Sequence, residues 1–173
     1  MTPPPATLEH AGIAARVPHA GTMCLLDRLL HWDERHVHCS AVGHAAPDHP
    51  LRSASGLLVT AGIEYAAQAM ALHGALVAPP EGAPTPGFLA SVRGVVSQVL
   101  RLDDIAGALQ VHAERLAGDD RQILYAFALR DDAGRELLAG RATVVLNTPL
   151  KPPSAVVEAA SAAIRATPPD HRG

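Results

Sequence analysis

Two short stretches hold the side chains best suited to acid–base chemistry. The first, Gly43-His44-Ala45-Ala46-Pro47-Asp48-His49-Pro50, is a Pro-rich turn carrying two histidines. The second, Gly62-Ile63-Glu64-Tyr65-Ala66-Ala67-Gln68, sets a carboxylate among small apolar residues. On a helix Gln68 lies one turn beyond Glu64 on the same face, within reach to orient it. Desolvation among Ile63, Ala66 and Ala67 would keep the carboxyl protonated near neutral pH, ready to give up its proton. An imidazole on the turn is suited to taking a carbon-bound proton at the same pH. One base and one acid on facing elements match the elimination of water from a β-hydroxyacyl thioester. Backbone N–H groups at the helix start would polarise the thioester carbonyl.

Other polar clusters point elsewhere. His31, His36 and His38 suggest a metal at first sight, but no acid or thiol is spaced to complete a shell, and no metal is expected. Ser53, Ser55 and Ser91 lack a nucleophile elbow, which argues against a serine hydrolase. His19 reads as a structural hydrogen-bonding residue near the start of the fold. Asp27 and Arg28 read as pairing or capping groups. His73 reads as a buried histidine with its needs met.

These groups need a frame. Leu25 to Trp32 and His36 to Gly43 read as two strands around the turn Asp33-Glu34-Arg35. In the second, Val37, Cys39 and Ala41 share one face. A helix follows from about Leu57 to Val77, with Ile63, Ala67, Met70, Ala71 and Gly74 as its apolar stripe, and stops at Pro79-Pro80. Beyond a Gly- and Pro-rich loop the period becomes two. Phe88, Ala90, Val92, Val96 and Leu100 share one face of a long strand. Leu109, Val111 and Ala113 mark the next, Ile123, Tyr125, Phe127 and Leu129 another, and Glu136 to Leu146 the last. Gly118-Asp119-Asp120 and Asp131 to Gly134 supply hairpin turns. The reading is an α+β fold: a curved antiparallel β-sheet wrapped around one long central helix, the hot-dog architecture. Residues 1–15 are expected to be a flexible N-terminus, 16–146 the domain, and 147–173 a Pro-rich tail with a short helix over Ala155 to Ala166.

The whole chain bounds the function. Its 173 residues suffice for one domain with a real core. The formal net charge of -3 and scarce aromatics exclude a nucleic-acid partner of the usual basic or base-stacking kind. Cys24 and Cys39 form no CxxC pair and read as buried thiols in a reducing compartment. No signal peptide or membrane span is legible, and a cytoplasmic address is the expectation.

The motifs, taken in order, resemble a known family. Pro18-His19 through Leu26-Asp27-Arg28 is similar to the Pro-His-Arg…Leu-Val-Asp-Arg opening of bacterial β-hydroxyacyl-acyl-carrier-protein dehydratases. Gly43-His44 with Pro47 and Pro50 resembles their Gly-His-Phe-Pro-x-x-Pro turn. Ile63 to Gln68 resembles their Glu-Ala-x-Ala-Gln helix, and Phe88-Leu89-Ala90-Ser91-Val92-Arg93 their Tyr-Leu-Ala-Gly-Ile strand. The similarity spans about residues 16–146 and is nearest to the dehydratase-like branch of aryl-polyene gene clusters. It implies His44 as base, Glu64 as acid and Gln68 as the residue orienting it. It further implies a homodimer or a heterodimer with another hot-dog subunit, with the site shared between subunits. No cofactor is implied beyond the phosphopantetheine of an acyl carrier protein that bears the substrate. Arg52, Arg93 and Arg101 are candidates to meet that acidic carrier.

The chain departs from the family pattern in two places. Arg52-Ser53-Ala54-Ser55-Gly56 stands where the family has Met-Pro-Gly, which leaves Gly62 to supply the close backbone approach to the thioester. The Gly-His turn lacks its Phe and has one residue more, so His49 competes with His44 for the base, with His44 placed first. The implied activity is dehydration to the trans-2-enoyl thioester in fatty-acid or polyene-type biosynthesis. A non-catalytic subunit paired with an active dehydratase, and a hot-dog thioesterase, are the alternatives.

Overall fold

The computed structural model describes residues 5–78 and 87–146. The chain runs through β1 (Leu8–Glu9), α1 (His10–Ala14), β2 (Arg28–Trp32), β3 (His36–Ala41), α2 (Gly62–Val77), β4 (Gly87–Ser97), β5 (Leu109–Gly118), β6 (Gln122–Arg130) and β7 (Glu136–Leu146). The strands form one antiparallel seven-stranded sheet in the order β1-β2-β3-β5-β6-β7-β4, and α2 packs on β3, β5 and β6. This is the hot-dog fold expected from the element order. Among the described residues no helix is long and apolar enough to cross a membrane.

The period-two rows face α2 as the alternation requires. Val37, Cys39 and Ala41, then Leu109, Val111 and Ala113, then Ile123, Tyr125, Phe127 and Leu129 are all buried. Each fully buried aliphatic side chain contributes about 1.5–3 kcal/mol, so this shared face is the main source of stability. Burial also pushes the Cys39 thiol up to about 12, which leaves it inert. Cys24 and Cys39 are both free and buried.

Three expectations are corrected. Residues 8–14, assigned to a flexible leader, form β1 and α1; Leu8 pairs with Leu29, and Ile13 enters the core at 0% exposure. The stripe assigned to α2 is rotated: Gly62, Tyr65, Ala66, Ala69, Met70, Leu72, His73 and Leu76 are buried, whereas Ile63, Ala67, Ala71 and Gly74 are only half covered. The helix is apolar nearly all round, so its phase could not be read. The polar tips it buries find partners, Tyr65 with His49, and His73 with Tyr125 and the Asp33 carbonyl. Third, β4 breaks its alternation at two irregularities, and Val96 and Leu100 are 54% and 83% exposed. Gly94, at φ 59°, sits in the second, a conformation that suits glycine. The tail helix expected over 155–166 lies outside the described residues.

The opposite face of the sheet is polar. His38 and His112 stack across β3 and β5 with ring centroids 4.0 Å apart. Burial, then neighbouring His38 and Arg130, push His112 from 6.5 down to about 4. Burial lowers His49 and His73 as well. A histidine that resists protonation when folded binds its proton preferentially when unfolded. Its penalty is absent above about pH 6.5 and grows as pH falls toward about 4. The urea midpoint should therefore drop between about pH 7 and pH 5, with His112 contributing on the order of 1–2 kcal/mol after discounting its half exposure. His112→Gln should flatten that slope; an unchanged slope would remove His112 from the account.

Candidate active site

Glu64 sits in the first turn of α2, where a carboxylate suits the positive end of the helix dipole. Its Oε1 lies 2.9 Å from Gln68 Nε2 and 2.9 Å from His19 Nε2. Gln68 is 0% exposed, and its amide is committed on every side. Besides Glu64, Nε2 donates to the Met23 carbonyl at 2.7 Å, and Oε1 accepts from the Leu25 N–H at 2.8 Å. Gln68 thus fastens the 19–25 segment to the helix and hydrogen-bonds the Glu64 carboxyl one turn before it. The carboxyl itself keeps 30% of its side-chain surface exposed, so this chain alone does not enclose it as the apolar helix context had suggested.

His19 is the residue the sequence reading placed wrongly. It carries an imidazole to Glu64, and its Nδ1 is buried without a partner among the described residues. The signal was present in the Pro18-His19 dipeptide. The segment between it and β2 had no periodicity that would reveal its return to α2. Asp27 accepts from the Val42 N–H across the chain, and Arg28 pairs with Glu9.

The two competing histidines differ in what they have left to offer. His44 stands on a single 3-10 turn, Gly43–Ala45, and is 1% exposed. Its Nε2 lies 2.9 Å from the Ile105 carbonyl and must donate to it, so Nδ1 carries the lone pair. That Nδ1 is buried and has no partner among the described residues. His49 is also buried, but both its nitrogens are occupied. Nδ1 accepts from the Leu51 N–H, and Nε2 meets the Tyr65 hydroxyl at 2.8 Å. The nitrogen free to accept a proton belongs to His44. No hydrogen bond or ion pair joins His44 to Glu64 among the described residues, and each sits in its own polar cluster.

Gly62 opens α2 where the helix lies close to the sheet. A Cβ there would stand 2.7 Å from Leu138 Cδ2 and 2.9 Å from Leu129 Cδ2. The missing side chain lets the start of α2 settle onto β6 and β7. Arg52 and Arg101 are tied down: both hold Asp103, at 2.9 and 2.6 Å, and Asp103 accepts from the Leu57 N–H ahead of α2. They brace the segment that replaces the Met-Pro-Gly motif. Of the three arginines put forward for a carrier, Arg93 alone has no carboxylate partner among the described residues.

Comparison with solved structures agrees with the architecture. The chain superposes on a component of the dehydratase heterocomplex ApeI:P from Xenorhabdus doucetiae with a TM-score of 0.70 and 22% identity, over 86% of this chain and 96% of that one. A mutant thioesterase from Pseudomonas aeruginosa gives a TM-score of 0.60 at 14% identity, over 84% and 98%. A mutant thioesterase from Staphylococcus aureus gives 0.54 at 16%, over 69% and 92%. At these identities the likeness is one of fold. No curated protein matches the chain. The model of the ApeP-like family, described as ApeP dehydratase, matches residues 11–155, and the chain belongs to that family.

Proposed function

We propose that the chain is a subunit of a dehydratase acting on a β-hydroxyacyl thioester borne on the phosphopantetheine of an acyl carrier protein, in fatty-acid or aryl-polyene-type synthesis. The observation that carries this reading is His44, a buried imidazole with one nitrogen fixed by the Ile105 carbonyl and the other unpartnered. Such an Nδ1 can take the α-proton. Glu64, steered by His19 and Gln68, gives a proton to the departing hydroxyl. The Cα–H and Cβ–O bonds break, the trans-2,3 double bond forms, and water leaves. His44 then returns its proton to solvent while the Glu64 pair is recharged.

Pairing of two hot-dog subunits fits the surface. β4 ends the sheet with an open edge, and Leu89, Val95 and Val96 along it are 40%, 42% and 54% exposed. Leu58 and Leu100, brought near each other by the Leu58–Arg101 bridge, are exposed as well. An open apolar edge invites a second sheet. The half-covered Glu64 would gain its enclosure there, with the facing His44 contributed by the other subunit. The heterocomplex of the Xenorhabdus doucetiae relative makes an unlike partner a second reading, in which this chain shapes the site and the partner performs the chemistry.

The test is to assay the purified protein, alone and with a second hot-dog subunit, on a β-hydroxyacyl-carrier-protein, following loss of water by mass spectrometry. Enoyl product in either arm supports the reading. Release of the free carrier thiol without enoyl product would assign thioester hydrolysis instead, and no reaction in either arm would overturn dehydration.

A further inference from the structure

The face of the sheet turned away from α2 carries a feature that dehydration does not use. Arg93 on β4 and Arg141 on β7 are direct cross-strand partners, and two residues along, past the Val92–Ala142 pair, so are Ser91 and Thr143. Val92 packs against the core and Ala142 is 1% exposed, so alternation turns Arg93, Arg141, Ser91 and Thr143 outward together. All four line one open groove. Its floor includes Ala126, Ala128 and Ala139, whose short side chains leave the space above β6 and β7 empty of protein.

Two guanidiniums directly opposite each other on a sheet repel, and a fold with no use for them gains by replacing one. Six other arginines, Arg28, Arg35, Arg52, Arg101, Arg130 and Arg135, each lie within 4.0 Å of a carboxylate, whereas Arg16, Arg115 and Arg121 stand singly without one among the described residues. Arg93 and Arg141 have no hydrogen-bond or ion-pair partner among the described residues. The carboxylates that share their groove are already taken, Glu114 by Arg35 and Glu136 by Arg130. Cross-strand Cβ atoms lie about 4.5–5.5 Å apart. That spacing lets two planar forks converge on one tetrahedral anion, while the two hydroxyls two residues along can donate to its remaining oxygens. The irregularity after Arg93, with Gly94 at φ 59°, bends the edge strand at this place, as bulges do where they re-aim side chains.

We infer that Arg93, Arg141, Ser91 and Thr143 form an oxyanion site on the outer face of the sheet, built for a phosphate or phosphate ester. The phosphate has two sources: a small phosphorylated molecule, or the phosphodiester of a pantetheine arm. The site does not depend on the proposed dehydration, and neither Arg93 nor Arg141 touches Glu64 or His44.

The experiment uses the full chain and follows its melting temperature at fixed ionic strength with sodium chloride, inorganic phosphate, pyrophosphate and pantetheine 4′-phosphate. Phosphate-bearing probes should raise Tm saturably by about 3–6 °C, and chloride should not. Arg93→Gln/Arg141→Gln should abolish the rise, whereas Arg121→Gln, removing an exposed arginine beyond the groove, should keep it. A stronger response to pantetheine 4′-phosphate than to pyrophosphate assigns the site to the carrier arm; an equal or weaker one assigns it to a free phosphate. No response to any phosphate probe, or a rise that survives the double substitution, overturns the inference. So does a ligand-free double variant that melts lower than the unaltered protein, because the guanidiniums would then be holding the sheet.

Discussion

Exchanging His44 for asparagine in the assembled dehydratase should lower kcat by about 10²–10⁴-fold, while His49→Gln should leave turnover per folded molecule within a few-fold. The contrast comes from the hydrogen bonds. Asparagine is shorter than histidine but keeps an N–H donor for the Ile105 carbonyl, which His44 Nε2 holds at 2.9 Å, so the buried carbonyl need not be orphaned. It has no basic nitrogen, and the α-proton would have no acceptor. His49, in contrast, has Nδ1 bound to the Leu51 N–H and Nε2 to the Tyr65 hydroxyl. Its loss should appear as lower stability, by about 1–3 kcal/mol for the unsatisfied buried groups. Glu64→Gln completes the set: the amide can still reach Gln68 and His19 but holds no transferable proton, so kcat should fall as steeply as in His44→Asn. The readouts are steady-state rates with mass-spectrometric product and urea midpoints for every variant. Full turnover in His44→Asn and Glu64→Gln would transfer the chemistry to the partner subunit. Collapse in His49→Gln alone would make that residue the base.

What the sequence disclosed follows from which physical signals are local. The period-two rows on β3 and β5 were legible because most inward residues are flanked by outward polar ones, and that on β6 because large inward side chains alternate with Leu124, Ala126 and Ala128. The turns at Asp119 and Asp131 were legible because their carboxylates bind the backbone N–H groups just ahead of them. The Glu64–Gln68 pair was legible because four residues make one helical turn. Three features were not. The phase of α2 was hidden by Ala and Gly on both of its faces. The role of Gly62 depends on Leu129 and Leu138, far along the chain, and no local pattern reports that approach. The return of His19 to Glu64 crosses a stretch with no strand or helix of more than one turn, held by a side chain rather than by backbone pairing.

That side chain is the most exposed point of the proposal to experiment. Gln68→Ala removes the donor to Met23, the acceptor for Leu25 and the neighbour of Glu64 in one step. Two backbone groups lose their partner, at about 1–3 kcal/mol each, and a buried side chain leaves a cavity. The urea midpoint should therefore fall by about 3–5 kcal/mol equivalent, among the largest single-residue losses the chain can show outside its apolar core. The kinetic consequence is separable from the thermodynamic one. With Met23 and Leu25 released, His19 loses its position, so Glu64 is deprived of both groups that touch its Oε1. At temperatures where the variant is fully folded, kcat should still be reduced and its alkaline pH limb, where the proton donor loses its proton, displaced, whereas a purely structural role would leave the profile in place. Glutamate is the stricter probe. Gln68→Glu keeps the shape but cannot donate to Met23 unless protonated, and it sets a second carboxyl one turn from the first. His19→Gln should displace the same limb with little loss of stability, and the double variant should fall short of the sum, because both changes act through one carboxyl. Full additivity would show that Gln68 and His19 serve Glu64 separately, and an unmoved limb in Gln68→Ala would leave the amide a structural clamp with no part in steering the acid.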